Sequence, residues 1–195
     1  VACMGKGNTG KTLKIAEIIC FPTHGNPIAM SAACAVANAV CSALKGNDLY
    51  QILQDALDGA EKGEKIGERG AVVAGPSMKK RLKIAIAMGI SSENVSDAMD
   101  ILRKYFDCSG MAADSVPVSF GLMAAAEGDA LQAIEAAANI GNDTDTMATI
   151  VGAVLGAYRG KDVFPERVLK RLNEANGYDL EDLAEQMENV TVTVR

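Results

Sequence analysis

Two short stretches of this chain combine residue types and spacing that could do chemistry. The first is Gly141-Asn142-Asp143-Thr144-Asp145-Thr146. Two carboxylates two residues apart can face one cation when the backbone between them is turned, and the neighbouring hydroxyl adds another hard oxygen. Oxygen-only donors select magnesium, calcium or manganese over zinc. Gly141 permits the tight turn, and an apolar helix starting near Asp145 would hold the donors rigidly. The plainer alternative is helix capping, for which Asp and Thr are favoured. Capping uses one Asp or Thr and leaves the second Asp without a role. Three oxygen side chains packed against so apolar a helix are costly to bury without a cation. Divalent-metal binding is the expectation.

The second stretch is Gly5-Lys6-Gly7-Asn8-Thr9-Gly10-Lys11-Thr12, which satisfies GxxxxGK[ST] and, over its first six residues, GxGxxG. In both patterns glycines let backbone N–H groups approach a phosphate at a helix N-terminus. The context fits neither of the folds that normally carry them. A phosphate-loop NTPase needs a buried strand before the loop and a later apolar strand ending in Asp. Only four residues precede Gly5, and no later stretch reads as such a strand. A dinucleotide-binding unit needs an acid about twenty positions on, where Gly25 to Met30 holds none. Two readings stay open: a phosphate-contacting loop in a helical protein, and a Gly-rich turn that starts a helix.

The elements that must position these stretches are helical. The chain has 195 residues, 49% apolar and 23% charged, with 4% aromatics and no Trp. That composition excludes disorder and favours closely packed helices over a sandwich or barrel. A formal net charge of −6 argues against nucleic-acid binding. Five scattered cysteines with no CxxC pair and a single His argue against zinc and for reduced, buried thiols in the cytoplasm. No signal peptide is evident at the start. Pro27–Leu44 is about one bilayer span long, but Asn38 and Ser42 interrupt it and a core helix is expected, with no membrane partner.

Periodicity predicts helices over Lys11–Cys20, Pro27–Leu44 with Asn26 as cap, an amphipathic segment from Leu49 capped by Asn47, Met78–Met88, Glu93–Phe106, Val116–Ala126, Ala130–Asn139 and Asp145–Tyr158. Two more follow Pro165 and Asp179, the last to about Glu188. Phe21–Pro27 reads as a break, Glu61–Pro76 as a fraying end and surface loop, and Val190–Val194 as an extended terminus. No linker divides the chain. An all-α orthogonal multi-helix bundle, one domain over 1–195, is expected.

Ala136–Ala148 around the Asp-Thr-Asp-Thr block, followed by Gly152, Gly156-Ala157-Tyr158 and Gly160, resembles the C-terminal signature of the ADP-ribosylglycohydrolase family. The family's usual Gly-Gly-Asp-Thr-Asp-Thr has Asn142 here in place of its second glycine. Thr23-His24-Gly25-Asn26-Pro27 with the helix that follows, Ser115-Val116-Pro117, and Tyr178 to Ala184 are similar to the family as well. The resemblance implies an all-α fold with two magnesium ions in a cleft, manganese being the alternative ion. It implies hydrolysis of the glycosidic bond between ADP-ribose and a modified acceptor. Carried over by motif, Asp143, Asp145 and Thr146 are metal ligands, and the two carboxylates are catalytic. His24 lines the substrate cleft, and Gly7 and Asn8 correspond to a Gly-Asn-Gly loop near the diphosphate and ribose. On its residues alone, His24 reads as a turn histidine bonding local backbone.

The family's other ligands lie in a Thr-Asp-Asp motif that has no counterpart here, since no Asp-Asp pair occurs. With Val1 rather than Met at the start, the chain is expected to be the C-terminal part of a larger domain, whose site a missing segment or chain completes. Three readings follow. The first is a magnesium-dependent hydrolase acting on ADP-ribose linkages. The second is a non-catalytic member, ADP-ribose-binding or structural in the manner of a crystallin. The third, least expected, is a nucleotide-binding protein using Gly5–Thr12. The acceptor and the oligomeric state stay open.

Overall fold

The computed structural model describes residues 1–177 and 179–193. They form eleven α-helices and a short 3₁₀ turn, with no strand among the described residues. The helices are α1 (Ala2–Gly5), α2 (Thr9–His24), α3 (Pro27–Leu44), α4 (Leu49–Gly67), α5 (Met78–Ser91) and α6 (Val95–Tyr105), then α7 (Ala112–Ala125), α8 (Ala130–Asn139), α9 (Thr144–Arg159), α10 (Glu166–Asn176) and α11 (Leu180–Thr193). The all-α class holds.

Helix α3 occupies the centre, as its apolar composition requires. Asn26 caps it by accepting from the Ala29 amide at 3.0 Å, and Pro27 stands in its first turn. It packs on α2, α4, α7 and α9. It passes a length and hydropathy test for a membrane span, yet most of it is buried inside the bundle. Two of the polar residues in its buried faces, Asn38 and Ser31, donate to the carbonyls of Asp55 and Ala60 on α4, which satisfies those donors, while Asn38 Oδ1 is buried without a partner.

The α3–α4 pair overturns one expectation. Glu61–Pro76 contains no frayed end: α4 runs on to Gly67. Gly59, Gly63 and Gly67 recur every fourth residue along one face. A Cβ on them would lie 2.4 Å from the Cys34 carbonyl oxygen, 2.3 Å from that of Met30 and 2.4 Å from that of Asn26. The glycines let two antiparallel helices touch backbone to backbone. Read locally, they look like helix breakers. Only the partner helix shows what they do.

Other boundaries shift for similar reasons. Helix α2 continues through Pro22 to His24, so the expected break shrinks to Gly25-Asn26. Pro22 lies in the last turn, where it removes one ladder hydrogen bond without unmaking the turn. Asp48, not Asn47, caps α4, accepting from the Gln51 amide at 2.8 Å. Helix α1 occupies part of what reads as a Gly-rich opening. Val190–Thr193 is helical, continuing α11, not extended. Tyr178 and Val194 lie outside the described residues.

The core is dominated by small side chains of α3 and α4 on one side and by α7 on the other, where Ser115 to Ala124 are all buried. Phe120, Leu122, Met123, Leu82, Leu102 and Met147 are wholly buried. The cysteines are all free, with Cys34, Cys41 and Cys108 buried, Cys20 half-buried and Cys3 exposed. Burial pushes the Cys34 thiol up to about 12, which keeps it inert. Cys3, and in part Cys20, depart from the expectation of burial.

Candidate metal and substrate site

The Asp/Thr hexapeptide forms the turn into α9. Gly141 has φ +100° and Asn142 φ 61°, two successive left-handed residues. That conformation favours glycine and tolerates asparagine better than other side chains. Asn142 therefore satisfies the same backbone demand as glycine. It also adds a tether, its Nδ2 donating to the Asp107 carbonyl at 2.9 Å. The next amide, Asp143 N–H, donates to the Cys108 carbonyl at 3.0 Å. The whole turn is thereby pinned to the segment between α6 and α7. Asn142→Gly is expected to hold the fold within about 1 kcal/mol, whereas Asn142→Val costs about 2 kcal/mol for a β-branched residue at φ 61°. Thermal denaturation of the two variants side by side measures the difference.

Asp143 stands at the N-cap of α9, but its side chain makes no capping hydrogen bond. At five other helices the residue at this position does cap, Asn8, Asn26, Asp48, Asn94 and Asp129 each accepting from the amide three residues on, whereas Ser77 at the start of α5, like Asp143, does not. The Asp143 carboxylate instead accepts from the Thr146 hydroxyl at 3.0 Å. Asp145 is exposed, and its carboxylate has no hydrogen bond or ion pair among the described residues. The capping alternative is thus unused. Two carboxylates and a hydroxyl stand together on one turn, with no lysine or arginine bound to either acid.

His24 ends α2 and is exposed, its Nδ1 2.8 Å from the Thr23 hydroxyl oxygen. The corner that follows is held firmly. The Gly25 carbonyl accepts from the Ala71 amide at 2.7 Å, and Arg69 binds Glu17 of α2 at 2.6 Å. The Arg69 guanidinium, with Lys14, holds the Glu17 carboxyl below its usual range. His24 borders a groove of about 390 Å³ with Cys20 and Thr23 of α2, Ala33 and Val36 of α3, and Ala112 of α7. Ala112 lies two residues beyond Gly110, on which a Cβ would sit 3.6 Å from Asp143 Oδ2. The groove and the acidic turn therefore share the loop that leads into α7.

Gly7 and Asn8 lie elsewhere. Asn8 caps α2, accepting from the Lys11 amide at 2.9 Å, so it stands at the opposite end of a 16-residue helix from His24, about 24 Å away at 1.5 Å per residue. Lys6 and Gly7 take left-handed φ values of 50° and 73°, and Lys45 at the C-terminal end of α3 reaches Thr9 at 3.3 Å. A helix precedes the loop where a phosphate-loop fold requires a strand. His24 and the acidic turn both lie near the segment that leads into α7, through the groove and through Gly110 respectively, whereas Gly7 and Asn8 stand at the opposite end of α2 from His24. A cavity of about 880 Å³, lined in part by Glu127, Asp129, Glu135 and Arg159, is remote from the acidic turn, since Arg159 closes the far end of α9.

Residues that sequence reasoning missed support the acidic turn from behind. Asp114 binds Arg81 of α5 and accepts from the Ser109 hydroxyl at 2.9 Å. Arg81 also stacks over Phe106, 4.6 Å from its ring centre. Nothing in the local sequence marks Arg81, because it lies 25 positions before Phe106 and 33 before Asp114.

A family model described as ADP-ribosylglycohydrolase matches residues 1–194. The chain belongs to the ADP-ribosylglycohydrolase family. The match begins ahead of the Gly5–Thr12 loop and takes it in. The chain is also similar to the uncharacterized protein YegU of Escherichia coli (strain K12), 24% identical over 158 residues. That alignment covers 81% of this chain and 46% of YegU, so the chain spans about half the length of this curated relative.

Proposed function

We propose that this chain carries one side of a divalent-metal centre in a cytoplasmic hydrolase that cleaves the glycosidic bond of ADP-ribosylated acceptors. The observation that carries the reading is the acidic turn at the start of α9. Asp143 occupies a capping position without capping, and Asp145 is left unpaired. The donor chemistry fits magnesium or manganese, which take oxygen ligands and retain several waters. Asp143, Asp145 and Thr146 would hold the ion. When bound, it supplies positive charge that polarises a substrate oxygen and lowers the pKa of a water.

The chain's own residues then divide the remaining work. Thr146 fixes the Asp143 carboxylate through a 3.0 Å hydrogen bond, and Asp145, open to solvent, is free to take a proton from an attacking water. His24 offers a ring nitrogen at the mouth of the apolar groove, able to bond a hydroxyl or phosphate oxygen of the substrate. Gly7 and Asn8 are too far from this end to act on the same bond, and a role for them is confined to a distant part of a ligand. Five free thiols support the cytoplasmic placement.

One observation favours a second reading, a member that binds ADP-ribose without cleaving it. Among the described residues no third Asp, Glu, His or Cys joins the pair to form a metal-holding cluster. The test is release of ADP-ribose from ADP-ribosylated arginine and serine with and without magnesium chloride. The hydrolase reading expects release that stops on adding a chelator. Magnesium-dependent binding of ADP-ribose without release supports the second reading, and neither binding nor release contradicts both.

A further inference from the structure

The acidic turn leads into α9, and the residues that precede that helix are tied to the segment between α6 and α7. Its backbone hangs on two carbonyls, those of Asp107 and Cys108, which receive the Asn142 side chain and the Asp143 amide at 2.9 and 3.0 Å. Those carbonyls belong to a connecting segment with an unusual conformation, Cys108 having φ 50°. A non-glycine residue held there needs surrounding structure to fix it. The fixing group on the far side of Cys108 is Ser109. Its hydroxyl donates to Asp114 Oδ2 at 2.9 Å and accepts from the Met111 amide at 3.3 Å. Asp114 sits in the first turn of α7 and is itself bound to Arg81 of α5. Arg81 in turn covers the Phe106 ring on the near side of the segment.

We infer that Ser109, clasped by Asp114, is a positioning residue that sets where Asp143 presents its carboxylate. The inference rests on the metal-centre reading above. The clasp spans the segment from both ends: Arg81 holds Phe106, Asp114 holds Ser109, and between them lie the two carbonyls that suspend the turn. Gly110 lies beside the Asp143 carboxylate, where an added Cβ would make an ordinary contact at 3.6 Å. Ser109 is half-buried and touches neither Asp143 nor Asp145 through a hydrogen bond, so its effect on them passes through the backbone. Removing a group hydrogen-bonded directly to a metal ligand typically changes metal affinity about 10- to 100-fold, and Ser109, acting one step further out through the backbone, is expected at the lower end.

Ser109→Ala is the informative variant, because it cuts the clasp while leaving the Arg81–Asp114 pair intact and uncovers no buried charge. Two readouts are taken on the full chain. One is hydrogen exchange of the Asp143 amide, the donor to Cys108. The other is affinity for manganese, followed by the paramagnetic signal of the free ion. The expected result is amide exchange roughly tenfold faster and manganese binding roughly tenfold weaker, with Ser109→Thr restoring both. Ser91→Ala, which removes an exposed hydroxyl bonded only to the Met88 carbonyl, should change neither. Unchanged exchange of the Asp143 amide in Ser109→Ala overturns the clasp. Faster exchange with unaltered manganese affinity overturns its role in positioning the ligand. Failure of the unaltered chain to bind manganese contradicts the metal-centre reading, and the amide exchange still decides the clasp.

Discussion

Replacing Asp143 and Asp145 together by Asn is expected to weaken magnesium or manganese binding by at least about a hundredfold without unfolding the chain. Contacts to a charged group are worth about 1.5–3 kcal/mol each. Two of them therefore account for about 3–6 kcal/mol, more than two decades of affinity at 1.4 kcal/mol per decade. The fold should survive because neither carboxylate supports it. Asp143 makes no cap hydrogen bond, and an Asn side-chain oxygen can still accept from Thr146. Asp145 is exposed with no partner among the described residues. Calorimetric titration with manganese chloride, alongside the helical circular dichroism of both proteins, separates lost ligands from lost structure. Equal affinity in the double variant would mean that these acids are not the ligands.

The second large effect concerns the scaffold. Gly63→Ala is expected to destabilise the chain by about 3 kcal/mol, the upper part of the range for overpacking. The added Cβ would lie 2.3 Å from the Met30 carbonyl oxygen and 2.7 Å from the Cys34 Cβ, atoms of a buried helix that cannot swing aside. Helices α3 and α4 must separate along their length, and the Asn26 end of α3, beside His24, moves with them. For a chain of this size each kcal/mol lowers the melting temperature by roughly 2–4 °C, so a fall of roughly 6–12 °C is expected. Gly152→Ala is the matched control. Its Cβ would stand 3.7 Å from Ile134 Cδ1, an ordinary contact, and alanine's helix propensity favours it by about 1 kcal/mol. A melting scan in which Gly63→Ala and Gly152→Ala behave alike would refute close backbone contact between α3 and α4.

The helices were legible wherever their signals are local. Pro27 after Asn26 opens α3, and the apolar run to Leu44 makes it central. Ala130 to Asn139 has the same bounds in sequence and structure. Legibility failed where a long-range contact overrides a local signal. Gly59, Gly63 and Gly67 are breakers in isolation and packing surfaces against α3. Pro22 reads as a stop, and the helix absorbs it in its last turn. Asn47 and Asp48 both have capping side chains, and only backbone geometry chooses between them.

The site divides in the same way. Asp143, Asp145 and Thr146 lie within four residues, so their grouping is a matter of sequence. That Asp143 does not cap α9 is a matter of structure. Asn142, a departure from the family pattern, becomes intelligible from its φ of 61°. Gly7 and Asn8 could not be placed from spacing, because the length of α2 separates them from His24. Ser109, Asp114 and Arg81 carry no motif, since their roles depend on which helices meet behind the turn.

The central claim, that the N-terminal turn of α9 holds a divalent cation, is tested most directly by a crystal structure of the chain soaked in manganese chloride, with anomalous diffraction locating the ion. The account predicts an anomalous peak about 2.0–2.2 Å from carboxylate oxygens of Asp143 and Asp145. Manganese bound elsewhere, with both carboxylates left in solvent, would contradict it.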